Sequence, residues 1–446
     1  MSGLAKYLLE NGCEVSGSDI SESKYVQKVV KLGAKVTIGH SAENVPEDCV
    51  VIASTAIRDT NPEIIRAKEL GLPIYHRSDL LAEISREGKF FLGYSGTHGK
   101  TTTSGLSSYV LEKAGLKPSY VVGGIIPELD TNAACQDGKF FCAELDESDG
   151  TIVKYVPNIC VVNNLEADHL DFYKNGLQSI KETFEKFISK MPPDGVVLVN
   201  NDCNASKCLH CHKTMSFGLS SDADYFAKNI VFEENFTTFD VYFKGEFLCD
   251  LKIILKGVHN VYNSLSVLAS LHQAGVDLNL VKPHFETFTG MGRRFQFVGE
   301  FCGVSLFDDY AHHPTEIKAT LSAAKTSFKT KNVIAVFQPH RYTRLQNLWE
   351  EFLGSFDDVD RVVVTDVYAA SEDEIFGINS EKFSAELSEK ISAPVDCFSG
   401  DMKSVAKKLF PSLKENDVVI TLGAGTVTAL GKELLKLNDE VVGVAG

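Results

Sequence analysis

The sequence predicts an α/β protein built from three domains. Strand-like apolar runs alternate with helical patterns along nearly the whole chain, which is typical of βαβ units and parallel sheets. The chain has 446 residues, and at roughly 150 residues per domain this length suggests about three domains. A hydrophobic fraction of 44% with 23% charged residues is typical of globular proteins and excludes disordered or collagen-like chains.

The first predicted domain covers residues 1–87. It begins with a helical stretch from Leu4 to Glu10, and Gly12 marks the end of that helix. A short strand is expected over residues 14–17, followed by Ser18-Asp19, and a second strand over residues 50–53. Alternation of these elements indicates a small parallel sheet.

The second predicted domain covers residues 88–291. The apolar run at residues 90–94 predicts its first strand, and further strands are expected at 140–143, 159–162 and 196–199. Between residues 225 and 255 polar and apolar residues alternate around a turn at 244–246, which predicts an antiparallel insert. A helix over residues 260–274 follows, and the glycines at 290 and 292 suggest a linker.

The third predicted domain covers residues 292–446 and alternates in the same way. Strands are expected at residues 304–307, 333–337, 361–365 and 418–422. This pattern predicts a second parallel sheet.

A phosphate-binding loop is the clearest chemical motif. Residues 95–103 read Ser-Gly-Thr-His-Gly-Lys-Thr-Thr-Thr, follow a predicted strand and open a predicted helix. Glycines let backbone N–H groups approach phosphate oxygens, Lys100 adds a point charge, and a threonine hydroxyl can ligate Mg²⁺. Tyr94 stands where the strict motif has glycine, so the loop is a variant, and a plain glycine-rich turn is the alternative reading.

Two acidic clusters follow two further predicted strands. They are Glu144 to Asp149, after the strand at 140–143, and Asn163 to Asp171, after the strand at 159–162. Functional groups of open α/β sheets gather at the carboxyl ends of the strands, where the phosphate loop also lies. Alone, an acidic run is more often a solvated loop. The two acidic clusters and the phosphate loop at three successive strand ends instead favour Mg²⁺ ligands beside nucleotide phosphates.

Charge and cysteine content narrow the class of protein. The net charge of −16 disfavours a non-specific nucleic-acid binder. No apolar run reaches the ~18 residues of a membrane helix, so no membrane insertion is expected. Eleven scattered cysteines favour reduced thiols in a cytoplasm.

Cysteines and histidines between residues 203 and 212 suggest a zinc site. A second cysteine pair is missing, so a helix surface or loop is the preferred interpretation of this segment.

The motifs together resemble the Mur ligase family of peptidoglycan synthesis. The stretches that carry the resemblance are GTHGKTTT (96–103), ELDESD (144–149), NNLEADHLDFY (163–173), GVHNVYNS (257–264), GMGRRFQ (290–296), DDYAHHPTE (308–316), FQPHRYTR (337–344) and LGAGTV (422–427). They span most of the chain in the family's order. Each is weak alone, and in combination they are specific.

The resemblance implies a fold and an activity. The fold is a Rossmann-like N-terminal domain for a UDP-sugar, a central ATPase-type domain with the phosphate loop, and a Rossmann-like C-terminal domain. The implied reaction is ATP-dependent ligation of an amino acid to the carboxylate of a UDP-sugar through an acyl phosphate. The DESD motif at residues 146–149 is similar to the motif of family members whose substrates are UDP-N-acetylmuramate and L-alanine. The resemblance also implies a cytoplasmic monomer or homodimer.

The resemblance implies roles for individual residues. Lys100 would contact the ATP phosphates, with Arg294 reaching them as well. Thr101 and Glu144 would hold one Mg²⁺, and His169 would help to hold a second. The phosphate loop residues Gly96, Thr97, His98, Gly99 and Thr102 would also contact ATP. Asn260 and Asn263 would face the adenine, and Asp309 and Tyr310 would bind the ribose. His313, Arg341 and Arg344 would bind the substrate carboxylate or the amino acid.

Three departures from the family pattern bear on these expectations. Ala311 replaces a usual glycine, and Leu145 replaces a usual alanine beside the metal ligand. The family's first strand and glycine-rich loop normally precede the helix that begins here at Met1, so either the true start lies upstream or part of the UDP-sugar site is absent. Asp19 is the remaining candidate for the uridine moiety, with helix capping as the alternative.

Two alternatives to the amino-acid ligase stay open. A murein tripeptide-recycling ligase has a similar phosphate loop, but tyrosine usually stands where this chain has Ser148. A catalytically silent nucleotide-binding relic is the other alternative, and the presence of Lys100, Glu144, His169, Asp309 and Arg341 argues against it.

Overall fold

The computed structural model of the chain describes residues 1–169, 172–233, 235–370 and 372–445, without the side chains of residues 442–445. Leu170 and Asp171, at the end of the second acidic cluster, therefore lie outside the described residues. The described chain forms two compact units. The first consists of Met1–Asn229, Phe239–Ile253 and Tyr262–Phe288, and the second of Ile230–Thr238, Ile254–Val261 and Thr289–Gly446. The three predicted domains with boundaries at 87 and 291 stay a prediction.

The strands are numbered in chain order. They are β1 (Ser16–Asp19), β2 (Lys35–Ile38), β3 (Val51–Ala53), β4 (Ile74–His76), β5 (Phe90–Ser95), β6 (Ser119–Ile126), β7 (Thr131–Ala134), β8 (Phe140–Glu144), β9 (Ile159–Val162), β10 (Val196–Asn200), β11 (Thr214–Gly218), β12 (Tyr225–Phe232), β13 (Thr237–Phe243), β14 (Glu246–Ile253), β15 (Gln296–Phe301), β16 (Val304–Asp309), β17 (Asn332–Phe337), β18 (Arg361–Thr365), β19 (Val395–Phe398) and β20 (Asp417–Leu422).

The α-helices are numbered in the same way. They are α1 (Ser2–Glu10), α2 (Lys24–Lys31), α3 (Pro62–Glu69), α4 (Arg77–Ser85), α5 (Lys100–Lys113), α6 (Leu177–Ile188), α7 (Val258–Gln273), α8 (Leu278–Val281), α9 (Pro314–Ser327), α10 (Tyr342–Asn347), α11 (Trp349–Leu353), α12 (Ser380–Lys390), α13 (Met402–Leu409) and α14 (Leu430–Ala445). The predicted α/β class is confirmed by this alternation.

A ten-stranded sheet forms the framework of the first unit. Its strand order is β14-β13-β12-β11-β10-β9-β5-β8-β6-β7. The central strands β5, β8 and β9 are apolar and almost wholly buried, as expected of parallel strands covered on both faces. β5 pairs in parallel with β8 on one side and with β9 on the other. The carboxyl ends of these three strands therefore meet at one edge, as the sequence predicts.

The predicted antiparallel insert is only partly correct. β12 pairs in parallel with β11, so the insert begins as a continuation of the parallel sheet. β13 and β14 are neighbours in the sheet and are joined at Lys244 and Gly245, both with positive φ. This is the conformation that two-residue hairpin turns require, and it matches the predicted turn.

Two small parallel pairs precede the large sheet. β1 pairs with β2, and β3 pairs with β4. Helix α1 packs on the large sheet through Leu4 and Tyr7, which share a buried cluster with Phe91 and Phe141. The N-terminal residues thus contribute to the same hydrophobic core as the phosphate-loop strand.

The second unit contains a six-stranded sheet of order β15-β16-β20-β17-β18-β19. β15 is antiparallel to β16, and the other neighbouring pairs are parallel. Two buried apolar clusters pack on this sheet, one with Phe337 and Phe383 and the other with Val405 and Leu434. The unit therefore has hydrophobic cores of its own.

Within the described part of the chain, the structure contains no helix of the length and apolar character needed to cross a bilayer.

Candidate functional site

The phosphate loop lies between β5 and α5. Gly96 and Gly99 adopt φ of +121° and +84°, a left-handed region that glycine enters without strain. A Cβ at Gly96 would lie 2.8 Å from the Asn164 carbonyl oxygen, and one at Gly99 would lie 2.6 Å from Asn263 Oδ1. Both glycines are thus required by conformation and by space. The first N–H groups of α5, from Lys100 onwards, have no acceptor inside a helix and can face an anion.

The loop after β9 is hydrogen-bonded to the phosphate loop. The backbone N–H groups of Thr97 and His98 donate to the carbonyl and the side-chain oxygen of Asn164, at 3.0 and 2.8 Å. The Glu166 N–H donates to the Thr97 hydroxyl at 2.9 Å. Asn163 contacts Thr103 at 3.3 Å. These contacts attach the phosphate loop to the segment after β9.

Lys100 lies among three carboxylates. Its Nζ donates to Glu147 Oε1 at 3.0 Å and to the loop carbonyls of Gly96 and Thr97 at 2.7 and 3.0 Å. Burial acts to lower the pKa of Lys100, but Glu147, Asp146 and Glu144 outweigh burial and raise it. The lysine is therefore a largely buried cation that stays charged at physiological pH, at the predicted place of the phosphates.

Glu144 ends β8 and faces the start of α5. Its carboxylate accepts a hydrogen bond from the Gly123 N–H at 2.9 Å and one from the Thr101 hydroxyl. Burial raises the pKa of Glu144. A Cβ at Gly123 would overlap this carboxylate, so Gly123 gives Glu144 its space. The predicted ligand pair Thr101 and Glu144 is brought together.

Asp146 pairs with Arg77, the first residue of α4, at 2.7 Å. Burial acts to raise the pKa of Asp146, but Lys100, the Ser148 N–H and Arg77 lower it to about 2. Neither Arg77 nor Gly123 was a candidate from the sequence. Arg77 lies 69 positions from Asp146, and no local pattern signals such a pairing.

The remaining candidates of the first unit lie around this centre. His169 adopts a positive φ of 53° and is close enough to Glu147 to act on the pKa of that carboxyl, which burial raises. The Asn263 carboxamide lies against Gly99. Thr102 is buried in the first turn of α5. The phosphate loop and both acidic clusters therefore form one polar centre.

Asp19 and Asn260 lie in other surroundings. The Asp19 side chain accepts a hydrogen bond from the Ser21 N–H at 3.2 Å. Helix α2 is capped by Ser23, so the alternative in which Asp19 caps the helix is wrong. Asn260 donates to the Lys256 carbonyl at 2.7 Å. Neither position tests the predicted uridine and adenine contacts.

In the second unit, Asp309 ends β16 and is held by backbone donors. The N–H groups of Phe295 and Ala311 each donate to it at 2.7 Å. Burial raises its pKa to about 6, although Arg294 acts against this. Arg294 also contacts Glu316 at 3.2 Å and lies over the Tyr310 ring, 5.4 Å from its centroid. Asp309, Tyr310 and Arg294 thus share one site.

The two adjacent histidines have structural contacts. His313 caps α9, and Glu316 completes a reciprocal capping box with it. His312 Nδ1 contacts the Tyr310 carbonyl at 2.9 Å, and burial lowers the pKa of His312 to about 4. His312 is therefore neutral at physiological pH, and the predicted substrate contact of His313 stays a prediction.

Arg341 precedes α10 in a strained conformation. Its φ is +71°, which is uncommon outside glycine and clusters at functional positions. Its N–H donates to the Tyr368 carbonyl at 2.9 Å, and its guanidinium lies 3.7 Å from Glu372. Arg344 contacts His340 at 3.1 Å, and the His340 ring stacks on Tyr368. Arg341 and Arg344 therefore each contact one member of a stacked aromatic pair, Arg341 through its backbone and Arg344 through its side chain.

The cysteine-rich segment forms a loop with a short 3₁₀ turn at Ser206–Cys208. The Cys203 thiol accepts a hydrogen bond from the Leu165 N–H at 3.4 Å. All eleven cysteines are free thiols.

Three family models match the chain in succession. They are the Mur ligase family catalytic domain over residues 1–89, the Mur ligase middle domain over residues 95–271, and the Mur ligase glutamate ligase domain over residues 293–425. Together they include every candidate residue named above.

Curated relatives match over nearly the whole chain. The UDP-N-acetylmuramate–L-alanine ligase of Pelobacter propionicus is 42% identical over 443 residues, covering 99% of this chain and 96% of the relative. The enzyme of the same name from Geobacter sulfurreducens is 40% identical over 99% of this chain and 96% of its own. That from Aquifex aeolicus is 39% identical, with 98% and 95% covered.

Solved structures show the same architecture. The UDP-N-acetylmuramate–alanine ligase from Thermotoga maritima superposes with a TM-score of 0.86 at 29% identity, covering 99% of this chain and 97% of that one. A murein peptide ligase from Psychrobacter arcticus, at 20% identity and a TM-score of 0.71, covers 98% and 96% and shares the fold.

Proposed function

The chain belongs to the Mur ligase family, and we infer that it joins L-alanine to the carboxylate of UDP-N-acetylmuramate at the expense of ATP, a step of peptidoglycan precursor synthesis. The full-length similarity to enzymes of that name supports this inference. The structural observation that carries it is the buried Lys100, held among Glu144, Asp146 and Glu147 in the phosphate loop.

The reaction explains why such a centre is needed. A carboxylate does not acylate an amine at neutral pH, because its oxygen is a poor leaving group. Transfer of the ATP γ-phosphoryl group to that oxygen gives an acyl phosphate, from which phosphate leaves when the amine attacks. The site has to bring two anions together and stabilise charge on the transferred group. A buried lysine at the start of a helix does both.

We propose that Mg²⁺ accompanies ATP, held by Glu144 and the Thr101 hydroxyl, with His169 as a candidate for a second ion. Hard oxygen ligands are those that Mg²⁺ prefers. Three carboxylates surround Lys100, so an incoming triphosphate would meet an excess of negative charge there. A divalent cation balances that charge and supplies electrostatic stabilisation of the phosphoryl group.

In the second unit we propose that Arg294 contacts phosphate and that Asp309 and Tyr310 contact the ribose. We also propose that His313, Arg341 and Arg344 bind the carboxylate of substrate or amino acid. A guanidinium can grip a carboxylate with two donors, which an ammonium cannot. Asn260 and Asn263 remain candidates for the adenine side, and Asp19 remains a candidate for the uridine. We also propose a cytoplasmic location, because ATP and nucleotide-linked precursors are cytoplasmic metabolites.

Phosphate release tests the proposal. Purified protein is given ATP, Mg²⁺, UDP-N-acetylmuramate and L-alanine, and each component is omitted in turn. We expect release that needs all four components and stops when EDTA removes the metal. Release without dependence on the sugar nucleotide or the amino acid would contradict the assignment.

A second arm replaces L-alanine by murein tripeptide. We expect the tripeptide to be a poor acceptor, because Ser148 stands where tripeptide ligases usually have tyrosine. A preference for the tripeptide would favour the recycling enzyme. Binding of ATP without any binding of UDP-N-acetylmuramate would favour the silent relic.

A further inference from the structure

Arg77 is the second cation of the acidic centre. Lys100 contacts Glu147 at 3.0 Å, and Arg77 contacts Asp146, the neighbouring residue, at 2.7 Å. The side chain of Asp146 also accepts the Ser148 N–H at 3.1 Å. Asp146 is thus held by Arg77 and by a backbone N–H, and Lys100 is close enough to act on its charge.

The position of Arg77 is fixed by its helix. Arg77 is the first residue of α4, which is capped by His76 in a reciprocal capping box with Asp79. A helix start with a satisfied cap has little backbone freedom. The guanidinium therefore projects from a rigid element and not from a loop.

Two further contacts join the start of α4 to the segment that follows Asp146. Lys154 contacts Asp79 at 2.7 Å and the Ser78 hydroxyl at 3.1 Å. The Thr55 hydroxyl bridges His76, at 3.0 Å, and Asp149, at 3.1 Å. The acidic loop and the turn that follows it are therefore tied at three places to residues that precede the phosphate-loop strand.

We propose that Arg77 is a positioning residue for nucleotide binding: by pairing with Asp146, it keeps the acidic loop in place and leaves Lys100 available for the triphosphate. Without Arg77, Asp146 keeps Lys100 as its cation and competes with the phosphates for it. A carboxylate left with less compensation also repels the incoming anion. The proposal rests on the nucleotide site of the proposed function.

The test uses Arg77→Met, Arg77→Lys, Asp146→Asn and the double variant Arg77→Met/Asp146→Asn in the full chain. Affinity for the fluorescent nucleotide mant-ATP with Mg²⁺ is measured directly by titration, and KM for ATP and for UDP-N-acetylmuramate by turnover. Arg86→Met is the matched control, because Arg86 directly follows the same helix as its C-cap, is half-exposed and pairs with Glu83.

We expect Arg77→Met to weaken mant-ATP binding and raise KM for ATP at least tenfold, with KM for the sugar nucleotide changed less than threefold. Arg77→Lys should stay within about fivefold of the wild type, because lysine keeps the charge. The double variant should recover at least a third of the lost affinity, because it removes the competing carboxylate as well. Arg86→Met should behave as the wild type.

Unchanged nucleotide affinity in Arg77→Met would overturn the proposal. So would a double variant as weak as Arg77→Met, or a rise in KM confined to the sugar nucleotide, which would make Arg77 a substrate contact. Loss of folding in Arg77→Met would show as an altered melting curve, and Arg77→Lys and Asp146→Asn then carry the test. Direct titration distinguishes a failure of this proposal from a failure of the proposed ligase activity, because nucleotide binding is measured without turnover.

Discussion

At the scale of single residues, the candidate site depends on a balance of charge and space around Lys100. The largely buried lysine pairs with the buried Glu147, and breaking a buried pair leaves an uncompensated charge. Gly123 contributes only the space and the N–H that Glu144 uses. The phosphate loop and the acidic clusters could be predicted from their order along the chain. Gly123 and Arg77 could not, because their partners are distant in sequence.

Lys100→Ala should lower kcat by roughly a thousandfold or more, because the transferring phosphoryl group loses its buried cation. The measurement is phosphate release at saturating ATP, with the melting temperature as a check of folding. Lys113→Ala, at the other end of the same helix, is the matched control. Activity retained in Lys100→Ala would mean that the loop does not bind the nucleotide.

Gly123→Ala should remove most of the activity, because the added methyl group displaces the Glu144 carboxylate. Gly17→Ala is the control, since a Cβ there meets nothing within 4 Å. Comparing the Mg²⁺ dependence of turnover in the two variants tests the role of Glu144. A Gly123→Ala protein with wild-type Mg²⁺ dependence would exclude Glu144 as the ligand.

Asp309 should make the second unit less stable as pH rises. Burial raises its folded-state pKa to about 6, above its value in the unfolded chain, so the folded state binds more protons between about pH 4 and pH 6. The stabilisation is complete below pH 4 and is lost as pH passes 6, by about 3 kcal/mol. Denaturant unfolding of Asp309→Asn should lack this slope, whereas Asp358→Asn, at an exposed position, should keep it. Equal slopes in all three proteins would contradict the prediction.

At the scale of elements, the buried parallel strands were predictable, whereas short or half-buried strands were predicted less well. β9 and β18 have the predicted bounds, because a buried parallel strand is a continuous apolar run. β1 begins two residues later than predicted, since its Ser-Gly-Ser-Asp sequence has no apolar pattern. β12 pairs in parallel with β11, although an antiparallel strand was predicted, because alternation marks a half-buried strand without giving its direction.

Tyr94 shows how a departure from the strict phosphate-loop motif is accommodated. Its hydroxyl bonds Ser107 of α5 at 2.7 Å and Ser270 of α7 at 2.8 Å, all within the core. Tyr94→Phe should destabilise the first unit by about 1 kcal/mol, because both serines lose a partner. Tyr75→Phe, at a half-exposed ring, should have little effect in the same denaturant titration. Equal stability of the two variants would show that these hydrogen bonds contribute nothing.

At the scale of the whole molecule, each compact unit has a core of its own. Phe184 belongs to the cluster of the first unit and Phe337 to that of the second. Length and alternation predicted several domains, but periodicity alone does not show which segments pack into one unit. That depends on contacts such as those of Leu4 and Tyr7 with Phe141, which join sequence-distant residues.

Calorimetry should therefore resolve two unfolding transitions, since multi-domain chains depart from two-state behaviour. Phe337→Ala should lower the free energy of unfolding of the second unit alone, and Phe184→Ala that of the first unit alone. Each loss should be about 3–5 kcal/mol, which is typical of a deleted core phenylalanine. A single transition that shifts as a whole in both variants would show that the units unfold as one.

The hydrogen bonds between Asn164 and the phosphate loop residues Thr97 and His98 have a kinetic consequence. A segment whose amides are already satisfied has little conformational entropy left to lose on ligand capture, so preorganisation favours affinity. The rate of nucleotide association would then be set by diffusional encounter and not by a rearrangement of the phosphate loop. Replacing Asn164 with alanine would slow capture and make it two-phased, as an induced-fit step appears in stopped-flow traces.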